Sequence, residues 1–498
     1  MPTVSNKHAN SQQIFYGSFD GGLNLAVPNE SLPKNELKEA LNVEFSPLTG
    51  AMRVRGGLVW SGRFEADVDF VVPVQGRRGF LVRFSGTRTL KYFRWNNIWP
   101  VEGELTGDGD LSIASWTDAE DNDCWLIASG GKLQKFSDTG LPKLETLENS
   151  PDESRLVFVR NGRVGVVNGP DTINFSYIGD CELWDNNPED ESTGQFLEIG
   201  YKDGMDITAI LPLSRDLIIF KSPTREPDKG TIWRMSGEFP DWVTLEVAHN
   251  AGTFSQRSVQ SVANDVFFIT VSGVASLSSV TSYGEIKASW PDRKVSNALT
   301  QLIDETAQLW DVPVKQQLWI LPSKQAEEIY VLDYTRGIWT TFKFPKRIIY
   351  AAGVDNLLFA FIGRDLYEIN DYYTQDELKD EGQQEIEARL RLGTILTGNQ
   401  TLIKRVFASF EIMPDCNAEL WLGKFKMPFS YGGQIDYIYD PPNDTQYAFE
   451  DDDPLIPDGG VLTSRRRCIV RDWAITPEIK IYGGGCSISS IGLEIAEV

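Results

Sequence analysis

The sequence predicts an all-β protein: a β-propeller of about six to seven blades, with an N-terminal extended arm and an additional C-terminal β module. Two observations carry this. A short hairpin pattern recurs along the middle of the chain, and period-two alternation of apolar and polar residues takes over after residue 385.

The pattern is clearest from Asp216 to Phe342. Asp216-Leu-Ile-Ile-Phe220, Asp265-Val-Phe-Phe-Ile-Thr-Val271 and Gln316-Gln-Leu-Trp-Ile-Leu321 are each followed by a turn and a second strand, at Gly230–Met235, Gly273–Leu277 and Glu328–Asp333. Branched and aromatic side chains suit a pleated surface, and the bounding Gly, Asp, Asn and Ser supply turn chemistry. Weaker copies lie upstream, at 79–84 with 90–93, 124–128 with 132–136, and 155–159 with 162–167, and one lies downstream at 356–361 with 365–369. Seven copies spaced by roughly 30 to 60 residues match the span of a four-stranded blade. A lone hairpin cannot bury its apolar face, whereas blades set radially cover one another. The same alternation also permits a pair of β-sandwiches.

In chain order, residues 1–60 form the arm. It has a polar start, Met1 to Gln13, followed by a glycine-rich stretch. Ser31 and Pro33 ahead of Asn35-Glu-Leu-Lys-Glu-Ala-Leu41 predict one short helix ending before Asn42. Residues 61–375 form the propeller. The charged stretch Asp376 to Gln384 reads as a linker or a short helix. Residues 385–498 form the C-terminal module, packed on or completing the propeller, in which Ile386–Leu392, Lys404–Ile412, Ala418–Leu422 and Glu478–Tyr482 alternate as half-buried strands. An exposed loop is expected from Tyr437 to Pro457.

The 498 residues, 41% hydrophobic and 11% aromatic, are enough for more than one core. No run is long and apolar enough to span a bilayer, and the polar start lacks the apolar centre of a signal peptide, so a soluble, cytosol-like setting is expected. Five scattered cysteines without a CxxC pair read as buried or incidental thiols. A net charge of −24 argues against tight binding of nucleic-acid backbone by the protein as a whole, yet suits a channel wall to which phosphates should not adhere.

Little of the sequence carries reaction chemistry. There are two histidines, His8 and His249, and no nucleophile elbow stands near the second, so neither a catalytic triad nor a zinc site is expected. Acidic clusters at Asp108–Asp110, Asp118–Asp123, Glu189–Glu191 and Glu450–Asp453 read first as solvated loops. Calcium ligation or a pair of glycosidase carboxylates are their alternatives. The basic spots Arg77-Arg78, Lys404-Arg405 and Arg465-Arg-Arg467 read as partner-facing ion pairs. No phosphate loop occurs. No catalytic, cofactor-binding or metal-binding residue is therefore assigned, and no cofactor is expected.

Gly21-Gly-Leu-Asn24, Leu32-Pro-Lys-Asn-Glu36, Ala40-Leu-Asn-Val43 and Gly50-Ala-Met-Arg-Val-Arg-Gly-Gly57 succeed one another in a way that resembles the start of the tail nozzle and packaged-DNA stabilisation proteins of short-tailed bacteriophages. Further stretches resemble the same family: Phe175–Asp180 with Trp184, Ile207–Leu213 with Leu217–Lys221, Gly252–Val259 leading into Val266–Ile269, and Tyr330–Tyr334 with Gly337-Ile-Trp339. The resemblance covers most of residues 15 to 370, although the acidic loops at 145–153 and 185–191 depart from it. It implies a non-enzymatic virion protein of the tail, assembled in the host cytoplasm. It further implies a homohexameric ring docked to the head-to-tail adaptor or portal ring and meeting tail fibres or a needle, around a channel that retains viral DNA and opens for ejection. The alternatives are a tail propeller binding host glycan through loops around Trp95, Trp99 and Trp184, or a glycan-cleaving propeller.

Overall fold

The computed structural model describes residues 11–430 and 461–497, apart from 47–49, 75, 78, 95–96, 119–120, 188–189, 214, 224–228, 239–240, 263–264, 281–284, 290, 355–356 and 413–415. The predicted loop at 437–457 and the polar start up to residue 10 lie outside the described residues.

Seven four-stranded antiparallel blades form the propeller. The first six run in chain order over residues 68–100, 112–146, 156–198, 206–249, 259–289 and 308–343. Each hairpin found in the sequence falls in its own blade. In six of them it is the second and third strands, and at 155–167 it is the first and second. The seventh blade joins Tyr350–Val354, Leu357–Ile362 and Asp365–Asn370 to Gly57–Arg63 from near the start of the chain, which pairs antiparallel with Asp365–Asn370. The ring is thus closed by a strand that precedes the first blade in sequence.

Apolar clusters of the described residues fill all seven junctions between neighbouring blades, six of them confined to one pair and that of blades five and six continuous with the second module. Phe80, Phe93, Phe359 and Phe361 close the junction of the seventh blade with the first, and Trp319, Phe342 and Phe344 fill that of the sixth with the seventh. Cores of this kind explain why apolar residues sit on both faces of most middle strands: each blade is covered from two sides.

Both chain ends build the second module. One sheet extends the sixth blade outward: beyond Ile338–Lys343 come Glu39–Leu41, Glu387–Arg391, Pro477–Tyr482, Asn417–Leu422 and Phe425–Ser430. A six-stranded sheet faces it, made of Val461–Ile475, Ile395–Glu411, Ser487–Glu497, Ala51–Val54 and Val43–Ser46, with Ser11–Gly17 paired to Ser487–Glu497. Leu390, Leu420, Ile479 and Ile481 of the first meet Phe410, Ile491 and Leu493 of the second in one sandwich core, which runs on into blades five and six.

Two expectations are corrected. The stretch 35–41 is not helical: Glu36–Leu37 and Glu39–Leu41 are strands. Their backbone is claimed from both sides, with Lys38 N–H donating to Arg391 O at 2.7 Å and Asn42 N–H to Thr341 O at 2.7 Å, and such pairing outweighs a few tenths of a kcal/mol of helix propensity. The N-terminal segment, expected as an extended arm, runs as extended strands that pair into both sheets and into blade seven. The charged stretch at 376–384 is neither helix nor linker: Gln375–Leu378 and Gly382–Glu385 form a hairpin, and Asp376 is buried.

Candidate functional site

The densest polar construction lies where the N-terminal segment locks the ring, and it uses the residues of the glycine-rich runs. Arg55 is buried. Its guanidinium grips both oxygens of Asp376 at 2.9 and 2.7 Å, donates to Asn42 Oδ1, Gly56 O and Lys343 O, and lies 4.0 Å from the Phe344 ring centre. Asp376 also accepts the Leu58 N–H at 3.0 Å, which fixes the first residues of the closing strand. Gly56 and Gly57 permit this approach: a Cβ on Gly57 would stand 2.1 Å from Gln375 O. Nearby, Lys315 joins Glu44 at 2.9 Å and Asp371 at 2.7 Å. In the Gly-Gly-Leu-Asn run, Asn24 donates to Glu36, whose other oxygen meets Lys294 at 2.9 Å. Buried charges satisfied this completely make a structural clasp, and none of them is left to act on a ligand.

The ring axis carries a second cluster. Ser255 and Ser258 cap the short turn Gln256–Ser258 ahead of blade five, and Arg257 projects from it. Its guanidinium reaches Asp110, just before blade two, at 2.6 Å, and stands 3.8 Å from the centre of the Phe70 ring on blade one. Blade five touches neither of these blades around the ring, so the contact crosses the axis. Arg83, 5.5 Å from the same Phe70 ring, ties Asp69 and Gly109 O together beside it. A cavity of about 320 Å³ opens here among Asp110, Arg155, Asp206, Ser222, Ser255 and Glu305. Most of its polar side chains serve the fold: the Gln256 amide brackets Ile210 N–H and C=O, and Ser222 donates to Thr253 O.

The sequence candidates are dispersed. His249 is exposed at the end of blade four and pairs with Glu246 at 2.6 Å. Asp108 is held by Arg88, whose hydrogen bonds keep its carboxyl below the usual range. Asp118 accepts the Asn122 N–H, and Asp123 pairs with Arg77 at 3.4 Å. Glu450–Asp453, Glu120 and Glu189 lie outside the described residues. Among the described residues no three His, Cys, Asp or Glu side chains are grouped to hold a metal. Trp99 is half exposed on the outer strand of blade one, whereas Trp184 packs at the junction of blades two and three and donates to Cys181 O, so the structure does not bring them together; Trp95 and Arg78 lie outside the described residues. Cys124, Cys181, Cys416 and Cys486 are buried, and burial pushes the thiols of the first two up to about 11 and about 12.

Two of the basic spots, some sixty residues apart, do meet. On the six-stranded sheet Arg405 is the register partner of Arg467, and Phe407 that of Arg465. On its other side Phe407 faces Gly492, which in turn faces Phe15. A groove of about 260 Å³ lies along this row, and Phe15 is 60% exposed beside it. Neither phenylalanine was singled out in the sequence, because each occupies the outward position of a strand whose partners are far away in the chain.

No protein-family model matches this chain, and no curated protein matches it either. Among solved structures it is similar to a streptogramin B lyase, with 11% identity over 64% of this chain and 98% of that one and a TM-score of 0.42. It is also similar to the WD40 β-propeller domain of Doa1, with 13% identity over 63% and 95% and a TM-score of 0.39, and to a virginiamycin B lyase from Staphylococcus aureus, with 11% over 72% and 99% and a TM-score of 0.38. These are likenesses of propeller architecture, and nothing about substrate or partner is carried over from them. Among the described residues no helix is long and apolar enough to cross a membrane.

Proposed function

We propose that this chain is a structural protein of a short phage tail, a nozzle that docks as a homohexameric ring to the head-to-tail adaptor, retains the packaged genome and opens for ejection. The reading is carried by the role of the residues in the resembling runs: Asn24, Glu36, Asn42, Arg55, Gly56 and Gly57 weld the chain ends onto a closed ring. Such a construction supports load bearing. Arg257 and Asp110 span the propeller axis, so in this reading DNA does not thread the propeller; it runs between copies, past a surface whose net charge of −24 per chain discourages phosphate adhesion.

Particles assembled without this chain test it. Full heads that leak DNA, and retain it when the purified protein is added back, support the reading. Heads that hold their genome equally well without it, or saturable binding of the purified chain on a glycan array, overturn it.

A further inference from the structure

We propose that the outer face of the six-stranded sheet, centred on Phe15 and Phe407, is covered by a second copy of this chain. The inference rests on the assembly reading above and names the surface through which copies meet. One cross-strand row is Phe15, Gly492, Phe407, Arg465, and the next is Gln13, Glu494, Arg405, Arg467. Gly492 has no side chain to fill the middle of the first row, and a Cβ there would touch both Phe407 and Phe15 at 3.4 and 3.5 Å, so the two rings flank an open trough. Opposite faces of these strands behave differently: Ile14, Tyr16, Ile491 and Leu493 point into the sandwich core and are buried. A 60% exposed phenylalanine on the solvent side contributes nothing to that core.

Size and charge argue for a copy as the occupant. An 11-residue strand, Ser487–Glu497, at ~3.3 Å per residue and four strands ~4.8 Å apart give a face on the order of 700 Å², near the ~800 Å² per partner of a stable interface. The outward register positions of this face include arginines at 405, 465 and 467, in a chain whose net charge is −24. A surface of this same chain is therefore the complement to hand, and pairing the two signs would also relieve the repulsion that assembly of so acidic a protein incurs. Arg405 pairs with Glu494 at 3.5 Å.

Light scattering and native mass spectrometry of the full chain, across a dilution series, test this with Phe15→Asp and with Arg465→Glu/Arg467→Glu. The wild type is expected to assemble. Each variant should shift the dissociation constant up by ~10-fold or more while circular dichroism and melting stay those of the wild type. A wild type that is monomeric at every concentration overturns the proposal. So does assembly untouched by either variant, or arginine variants that lose only DNA binding. Because self-assembly is read without adaptor or genome, failure here leaves DNA retention as a separate outcome: a chain that assembles by another face can still be a nozzle.

Discussion

The propeller and the sandwich are built from the same strands by opposite rules. In blades one to six every strand pairs with its neighbour in sequence. In the sandwich Ser11–Gly17 pairs with Ser487–Glu497, Tyr16 donates to Gly393 O, and Glu39–Leu41 is wedged between Ile338–Lys343 and Glu387–Arg391. Local pairing gives six blades laid out in sequence order; long-range pairing closes the seventh and builds the sandwich. The two meet at Arg55, which lies between the last strand contributed to the sandwich and the first contributed to blade seven.

The largest effect is therefore expected at that joint and not within either part. Asp376→Ala leaves the Arg55 guanidinium buried without its carboxylate and the Leu58 N–H without its acceptor, at a cost of about 3–5 kcal/mol. Denaturant titration followed by intrinsic tryptophan fluorescence measures it. Arg55→Met with Asp376→Leu should recover much of the loss, because an apolar pair needs no compensation. If Asp376→Ala unfolds no more easily than the wild type, ring and sandwich are independent and the contrast between them has no energetic content.

The same contrast explains what could be seen in advance. Hairpins such as Asp265–Val271 with Gly273–Leu277 carry their own strand chemistry and turn glycine, so all seven blades were legible. The closing strand Gly57–Arg63 was not, because nothing local states that it pairs with Asp365–Asn370. Ser31 to Leu41 was misread for a related reason: its pattern of Leu37, Ala40 and Leu41 fits a helix, while the groups that hold it extended, Thr341 and Arg389 to Arg391, lie about three hundred residues on. At the site level, the basic spots were visible as charge, but their convergence was fixed by a register between strands on either side of residues 431–460.

A smaller effect sharpens the comparison inside the ring. Asp311 sits on the first strand of blade six, one of its oxygens is buried and lacks a hydrogen-bond partner among the described residues, and burial pushes its carboxyl up to about 6. An acid with a raised folded value holds its proton more tightly in the native state than in the unfolded chain. Its protonated form is therefore tolerated below about pH 4, and stability is lost as pH rises through about 6. Asp311→Asn is expected to stabilise by about 1–2 kcal/mol at pH 8, discounted for partial exposure, and to change little at pH 4. Melting measured at both values checks this; equal shifts at the two would assign the effect to packing. Asp376, held by Arg55, gives no such gain when neutralised, so the two carboxylates should respond to Asn substitution with opposite signs at pH 8.

The smallest effect concerns whether the seven blades are coupled across their centre as well as around their rim. The Arg257–Asp110 pair is partly exposed, 22% and 48%, so the ion pair alone is worth little, of order 0–1 kcal/mol. Its geometry adds something the rim lacks: one guanidinium joins blade five to blade two through the carboxylate and to blade one through the Phe70 ring. A double-mutant cycle of Arg257→Met with Phe70→Leu isolates the second link, since Met keeps the apolar stem and Leu the bulk. A coupling energy of about 0.5–1 kcal/mol is expected, with the Asp110→Asn change additive to Phe70→Leu. Zero coupling would mean that Arg257 only neutralises Asp110, and that blades one and five feel each other through the inter-blade cores alone. The two sheets of the sandwich are already face to face; a ring encloses an axis, and an arginine long enough to cross it supplies contact where packing cannot.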